Sequence, residues 1–456
     1  MHAEARPEKR TLSAGTVARY AAGSIGTGGF GTLPGLVLVF FLTDTLGVAA
    51  LWAGVLVTVA KVWDVIIDPV IGARSDHSLA VTGSRRRFML LGAILLPVFF
   101  VLTFAVPAVL GPLPAGLWVL IAFVLCATAF SLFQVPYIAL PAELVQDYDA
   151  RTRLLSTRVV VLTFAILLFG AGGPALRDAF PQDERLGYLV LAIAAGLVLG
   201  LGMLVAVFSA PKGTPGAPAT RASIADTYRL GARALRRSQP FRALLLTFVL
   251  QGLATGVMLA GAQYVAKWVL GSGVTFLFLA LVAPALLCAP LWAVISRRIG
   301  KERSFTIASI IFALAALSLL GLIWAPGAWL YGPVAIAGAA YAGMQTLPMS
   351  MLPDVISHDA RIHGPGSAGT FGGVWTAGET AGMALGTTVL TIVLAISGYA
   401  ESIGQQEVTQ SPAAIAGIVI SFSVVPAVIM VLSLLTLARY PLRKKDIEGA
   451  ATETAR

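Results

Sequence analysis

Twelve apolar stretches separated by short polar breaks divide the chain: 17–43, 48–75, 87–109, 115–144, 154–176, 186–209, 240–269, 273–296, 303–324, 327–352, 368–398 and 412–438. Each is long enough to cross a hydrocarbon core, which takes roughly 20 apolar residues in an α-helix. In lipid the backbone must satisfy its own hydrogen bonds, and continuous apolar runs of this length do so as helices. The pattern predicts an all-α polytopic membrane protein with twelve transmembrane helices. The longest polar interval, "APKGTPGAPATRASIADTYRLGARALRRS", begins as a Pro/Gly/Ala/Thr linker and ends in a basic segment suited to an interfacial helix. It divides six spans from six. The expected units are an N-terminal tail (1–16), a six-helix bundle (17–209), a central loop (210–238), a second bundle (239–438) and a C-terminal tail (439–456).

Composition agrees. The chain is 57% hydrophobic and 12% charged, and its mean hydropathy is +0.85. A soluble domain carries about a quarter charged residues. The net charge of +10 is spread over short loops rather than gathered into a nucleic-acid-binding patch. Clusters such as Arg85–Arg87, Arg151/Arg153, Arg236/Arg237, Arg297/Arg298 and Arg443/Lys444 fall on alternate loops, while the others hold only Arg177, Arg185 and, near a helix end, Lys267. By the positive-inside rule, both termini and the central loop are expected to be cytoplasmic in a cell membrane. The basic start has no apolar core and small-residue cleavage site, so it reads as a tail rather than a signal peptide. Cys126 and Cys288 lie in separate apolar stretches and read as small hydrophobes.

Span four ends in "VPYIALPAELVQD" and span ten in "LPMSMLPDVISHD". Pro136, Pro141 and Asp147 match Pro348, Pro353 and Asp359 in spacing, at the same ordinal helix of each half. Two six-helix halves related by a repeat are the major facilitator layout, with substrate held between them at mid-membrane.

Intramembrane polar residues then nominate the chemistry. In "KVWDVIIDPVIGARSD", Asp64 and Asp68 stand at i, i+4 on one helix face, with Lys61 on the same stripe. A carboxylate at bilayer depth costs several kcal/mol by most estimates, so the pair demands a role. Two readings stand: a buried ion network, or a cation site in which the carboxylates bind Na+ or share a proton. Close like charges favour a shared proton. Arg158, a turn into span five, either snorkels to the interface or reaches inward with its forked donors. Glu379 sits within "GTFGGVWTAGETAGMALG", whose small residues permit close helix packing, and Trp375 lies four residues earlier. Gln134 precedes the Pro136 break, with Ser131 nearby. No His/Glu metal pattern appears. The D-x-x-x-D-P spacing also departs from the D-x-x-D-G-x-x-A-R of CDP-alcohol phosphotransferases, so no enzyme is expected.

Taken together, "YAAGSIGTGGFGTLPGLVLVFFLTDTLG", "KVWDVIIDPVIGARSD", "VPYIALPAEL", "DYDARTRLLSTR" and "GTFGGVWTAGETAGMALG" resemble the glycoside–pentoside–hexuronide:cation symporters over nearly the whole chain. Eukaryotic lysophospholipid carriers are distant relatives of that family. The resemblance implies a cation site at Asp64 and Asp68 with Lys61 and Ser131, and a sugar-binding role for Arg158 allowing a one-residue gap. Departures matter too. Ile67 stands where Na+-using members have asparagine just before the second carboxylate, which moves the expected coupling ion to H+. Gly28 and Gln134 replace sugar-gripping carboxylates, Ile138 replaces a sugar-packing tryptophan, and Glu379/Thr380 fall near a lysine.

The expectation is therefore a cation-coupled, H+-driven symporter of a sugar or glycoside-like solute, needing no cofactor and working as a monomer among membrane lipids. Substrate is expected in a central cavity lined by Tyr20, Gln134, Arg158, Trp375 and Glu379. Inner-face latches are expected at Asp76 with Arg85, Arg86 and Arg87, and at Asp147 with Arg151 and Arg153. The alternatives are a lysolipid carrier on the same fold and a proton-driven exporter of hydrophobic compounds.

Overall fold

The computed structural model describes residues 13–144, 148–211, 235–363, 368–403 and 408–442, together with Arg229 and Arg233. In the first half, α1 (Ala14–Phe40), α2 (Ala50–Thr82), α3 (Arg86–Phe104), α4 (Pro112–Leu144), α5 (Tyr148–Asp178) and α6 (Glu184–Val207) follow one another. The second half holds α7 (Gln239–Tyr264), α8 (Thr275–Ile299), α9 (Lys301–Ser318), α10 (Tyr331–His363), α11 (Ala368–Ile396), α12 (Pro412–Phe422) and α13 (Val424–Leu437). The last two make one span with a break at Ser423. Among the described residues, eleven spans are long and apolar enough to cross a bilayer. The twelfth is α10, whose 33 residues include Gln345, Ser350 and Asp354. Most of the central loop, where an interfacial helix is expected, lies outside the described residues.

The ends of the helices follow local chemistry. Ser13, Asp183 and Ser411 cap α1, α6 and α12 by accepting from backbone N–H groups two or three residues into each helix. Gly83 ends α2 in a left-handed conformation (φ 69°), its N–H donating to the Leu79 carbonyl. That sharp turn folds Arg85 back onto Asp76, with which it forms an ion pair.

The main packing pairs of the first half recur in the second. α1 packs on α5 and α6 as α7 packs on α11 and α13; α3 packs on α4 and α6 as α9 packs on α10 and α13. The proline-bearing helices of the sequence repeat, α4 with Pro136/Pro141 and α10 with Pro348/Pro353, are both 33 residues long. The halves meet through α1 on α7, α2 on α11 and α5 on α8. Leu201, Leu314 and Leu435, on the outer helices, stay exposed, as side chains facing lipid do.

Because lipid tails are as apolar as leucine, these helices associate by close packing rather than by escape from water. The α7–α11 contact shows this. A Cβ at Gly386 would stand 2.6 Å from the Leu253 carbonyl oxygen, and one at Gly382 2.5 Å from that of Val249. Backbone cannot yield as a flexible side chain can. Gly386→Leu is therefore expected to lower the melting temperature and the monodisperse yield of detergent-purified protein sharply. Size-exclusion and thermal-unfolding profiles matching wild type would refute the packing argument.

Candidate transport site

On α2, Lys61 Nζ lies 3.4 Å from Asp64 Oδ2, and also 5.8 Å and 5.7 Å from the ring centroids of Phe30 and Phe123. The helical stripe seen in the sequence thus places a cation over two aromatic faces and against one carboxylate. Oδ1 of Asp64 and Oδ1 of Asp68 are both buried without a hydrogen-bond partner. From α4, buried Ser131 faces Asp68. The nearby Thr128 hydroxyl is already engaged, accepting from Trp63 Nε1 at 2.8 Å and donating to the Val124 carbonyl. Lys61, Asp64, Asp68 and Ser131 therefore form one cluster between α2 and α4. It holds unused acidic oxygens and few neutral ones.

A second cluster lies between α1, α4 and α5. Thr27 donates to Gln134 Oε1 at 2.7 Å. Tyr137 donates to the Tyr20 carbonyl at 2.8 Å and bonds Ser24 Oγ at 3.0 Å. Tyr20 stacks on Tyr137 with centroids 4.7 Å apart, and the Arg158 guanidinium stands 5.4 Å from the Tyr137 ring. Arg158 Nε has no partner. Tyr20 and Arg158 are thus gathered around Tyr137, a residue the sequence reading did not single out, and Gln134 precedes it by about a turn on α4. The other two expected substrate residues lie across the interface on α11. Glu379 is half-buried near Tyr341. Trp375 is only 2% exposed and stacks on Phe248 of α7 at 4.4 Å, so its indole packs within its own half.

A cavity of about 320 Å³ opens between the halves. Its walls include Thr27, Leu162, Thr255, Phe278, Tyr341 and Met383. None of the five residues expected to line the central space is in that wall. Arg158 precedes Leu162, and Glu379 precedes Met383, by one helical turn. The charged groups therefore sit a turn nearer the face at which α1 begins, and the cavity itself is walled mostly by hydrocarbon.

At the opposite face the halves are clamped. α1 and α7 each end in a five-residue π-helical turn, Phe41–Thr45 and Val265–Val269. Fully buried Asp44 in the first accepts from Lys267 Nζ (3.3 Å) and Trp268 Nε1 (3.3 Å) in the second. Tyr399 OH (2.7 Å) and Thr43 Oγ1 (2.8 Å) also donate to it. Thr43 and Tyr264 hydroxyls bond at 2.7 Å, Ser402 Oγ donates to the Asp44 carbonyl, and Glu401 accepts from the Ala50 N–H. π turns cluster at functional positions. The sequence reading gave Asp44 no role, although its paired signal was present: one acid and one lysine at the ends of equivalent spans.

Three ion pairs among the described residues at the other face join groups on the same side of the central loop or at its end. Asp76 pairs with Arg85, Arg237 with Asp359 at 2.5 Å, and Lys301 with Asp354 at 2.5 Å. Of the remaining expected latch residues, Arg86 lies over the Phe208 ring, and Arg87 and Arg153 are exposed. Asp147 and the Arg151 side chain lie outside the described residues.

Two repeat-related helical bundles around a central cavity, clamped at one face, make up the layout of the major facilitator transporters. The family described as MFS/sugar transport protein matches residues 19–444, and the chain belongs to it. Among curated proteins it is 25% identical to the "Glucuronide carrier protein homolog" of Escherichia coli (strain K12), covering 97% of this chain and 95% of that protein. It is 24% identical to that organism's "Putative glycoside/cation symporter YagG", over 91% and 89%. It is 23% identical to the "Sodium-dependent lysophosphatidylcholine symporter 1-A" of Danio rerio, over 96% and 88%. A solved structure of a proton-dependent oligopeptide transporter covers 94% of this chain, and is itself 98% covered, with a TM-score of 0.65 and 14% identity. At that identity it speaks to the fold alone. The twelve-helix reading and the symporter resemblance drawn from the sequence are both borne out.

Proposed function

We propose that this protein is a proton-coupled symporter that imports a glycoside-like solute across the cell membrane by alternating access. The observation that carries the reading is the Asp64–Asp68 pair. Each carboxylate keeps one buried oxygen unpartnered, and Lys61 pairs with Asp64. Lys61 balances the first acid and leaves Asp68, facing Ser131, to take the cation. A hard metal cation needs several oxygen ligands, whereas a proton needs one carboxylate oxygen. With Ile67 beside Asp68 and the Thr128 hydroxyl already bonded, the neighbourhood favours a proton.

Coupling follows from position. Ser131 and Gln134 share α4, and Gln134 bonds Thr27, which lines the cavity. Loading Asp68 removes charge from α2, which packs on α11 of the other half, so protonation and solute both bias the same rearrangement of the halves. The basic loops assign the α1-start face to the cytoplasm, making the clamped state described here inward-facing. The curated relatives named as glucuronide and glycoside carriers support the solute class.

The test is uptake into proteoliposomes under an imposed pH gradient, with Na+ present or replaced by choline. Accumulation that follows the pH gradient and ignores Na+ is expected. Strict Na+ dependence would overturn the choice of ion.

A further inference from the structure

We propose that the central cavity seats the apolar aglycone of an amphiphilic glycoside, whose sugar is held one turn away by Arg158, Gln134 and Glu379. This rests on the glycoside-symport reading of the same site. A free sugar presents a hydroxyl on nearly every carbon, and each must find a partner once buried. The cavity offers few. Thr27 spends its proton on Gln134 and Thr255 on its own helix carbonyls, while Tyr341 accepts from Gln345 Nε2 at 2.8 Å and keeps its own proton to donate. Thr32 and Thr163 add two hydroxyls, and the rest of the wall is mostly hydrocarbon such as Ile166, Met258, Leu259, Phe278 and Phe312.

Charged donors and acceptors begin below it. Arg158 Nε is buried without a partner, and Arg158 precedes Leu162 of the wall by one turn of α5, its guanidinium over the Tyr137 ring. Across the interface Glu379 stands one turn before Met383. Polar groups on the rim and hydrocarbon above fit a solute with a hydroxylated head and an apolar end. The volume, about 320 Å³, is near the lower limit for small-molecule sites, roughly 300–1,000 Å³. That volume is enough for one ring system.

Gly31 permits a direct probe. It lines the cavity, and a Cβ placed there meets nothing within 4 Å, so a larger side chain grows into the empty space. The experiment is binding to purified protein of phenyl and methyl β-glycosides of the same sugars, with lysophosphatidylcholine as a separate arm. Wild type should bind the phenyl member of each pair roughly tenfold tighter or better, as burial of a ring in an apolar site predicts. Gly31→Leu, shown to be folded by its thermal unfolding, should lose that preference.

Equal affinity of wild type for phenyl and methyl glycosides overturns the aglycone site while leaving glycoside symport standing. So does a phenyl preference that survives Gly31→Leu. Binding of the lysolipid with no response to any glycoside overturns both readings.

Discussion

Asp68→Asn is expected to abolish accumulation against a gradient while leaving downhill exchange of solute intact. Asparagine keeps the size and hydrogen-bonding shape of the protonated acid but cannot release a proton. The variant should therefore behave as a carrier fixed in its loaded charge state. Uphill uptake should fall by roughly tenfold or more, the scale of a coupling of about 1–3 kcal/mol. Asp64→Asn should differ in kind. It strips Lys61 of its carboxylate at 3.4 Å and leaves an ammonium among Phe30 and Phe123, so folding and yield suffer along with transport. Unaltered accumulation by Asp68→Asn would remove the cation site from α2.

The second large effect is expected at the opposite face. Asp44 is fully buried and accepts from four side chains, three of them in the other half. Asp44→Ala leaves Lys267, Trp268 and Tyr399 without that acceptor, and removing one partner of a buried pair costs on the order of 3 kcal/mol. This destabilises the clamped state specifically, so the population should move toward the state open at that face. Ser402, only 2% exposed and bonded to the Asp44 carbonyl, is a suitable reporter. The cysteine variant Ser402→Cys should react with a membrane-impermeant maleimide slowly alone and much faster when combined with Asp44→Ala. Equal rates would show that this cluster does not hold the face shut.

Both expectations bear on what the sequence could and could not reveal. Local periodicity was enough for the spans, since a helix in lipid needs only a long apolar run and its own backbone bonds. Span ten was visible as the apolar stretch 327–352, and the Pro136/Pro141 spacing recurring at Pro348/Pro353 supported its place as the counterpart of span four. The Lys61–Asp64–Asp68 stripe was legible for the same reason: its partners lie within two turns of one helix.

The clamp and the cavity are different in kind. Asp44 and Lys267 meet across 223 residues of chain, and nothing in either local pattern says that two π turns will align. The cavity wall draws on both halves, and its apolar character arises from which faces of several helices converge. Sequence reasoning looked for polar residues and so described the rim. Trp375 illustrates the limit: an indole in a glycine-rich helix was equally suited to a cavity or to packing, and the approach of Phe248 at 4.4 Å decided for packing.

The central claim is that solute and proton move together through Asp68. Its most direct test loads proteoliposomes with a pH-sensitive dye and adds a transported glycoside outside, with no imposed gradient and no Na+. Wild-type vesicles should acidify inside as solute enters, and Asp68→Asn vesicles should take up solute downhill without acidifying. Solute entry with no pH change in wild type, or an acidification that persists in Asp68→Asn, would contradict the account.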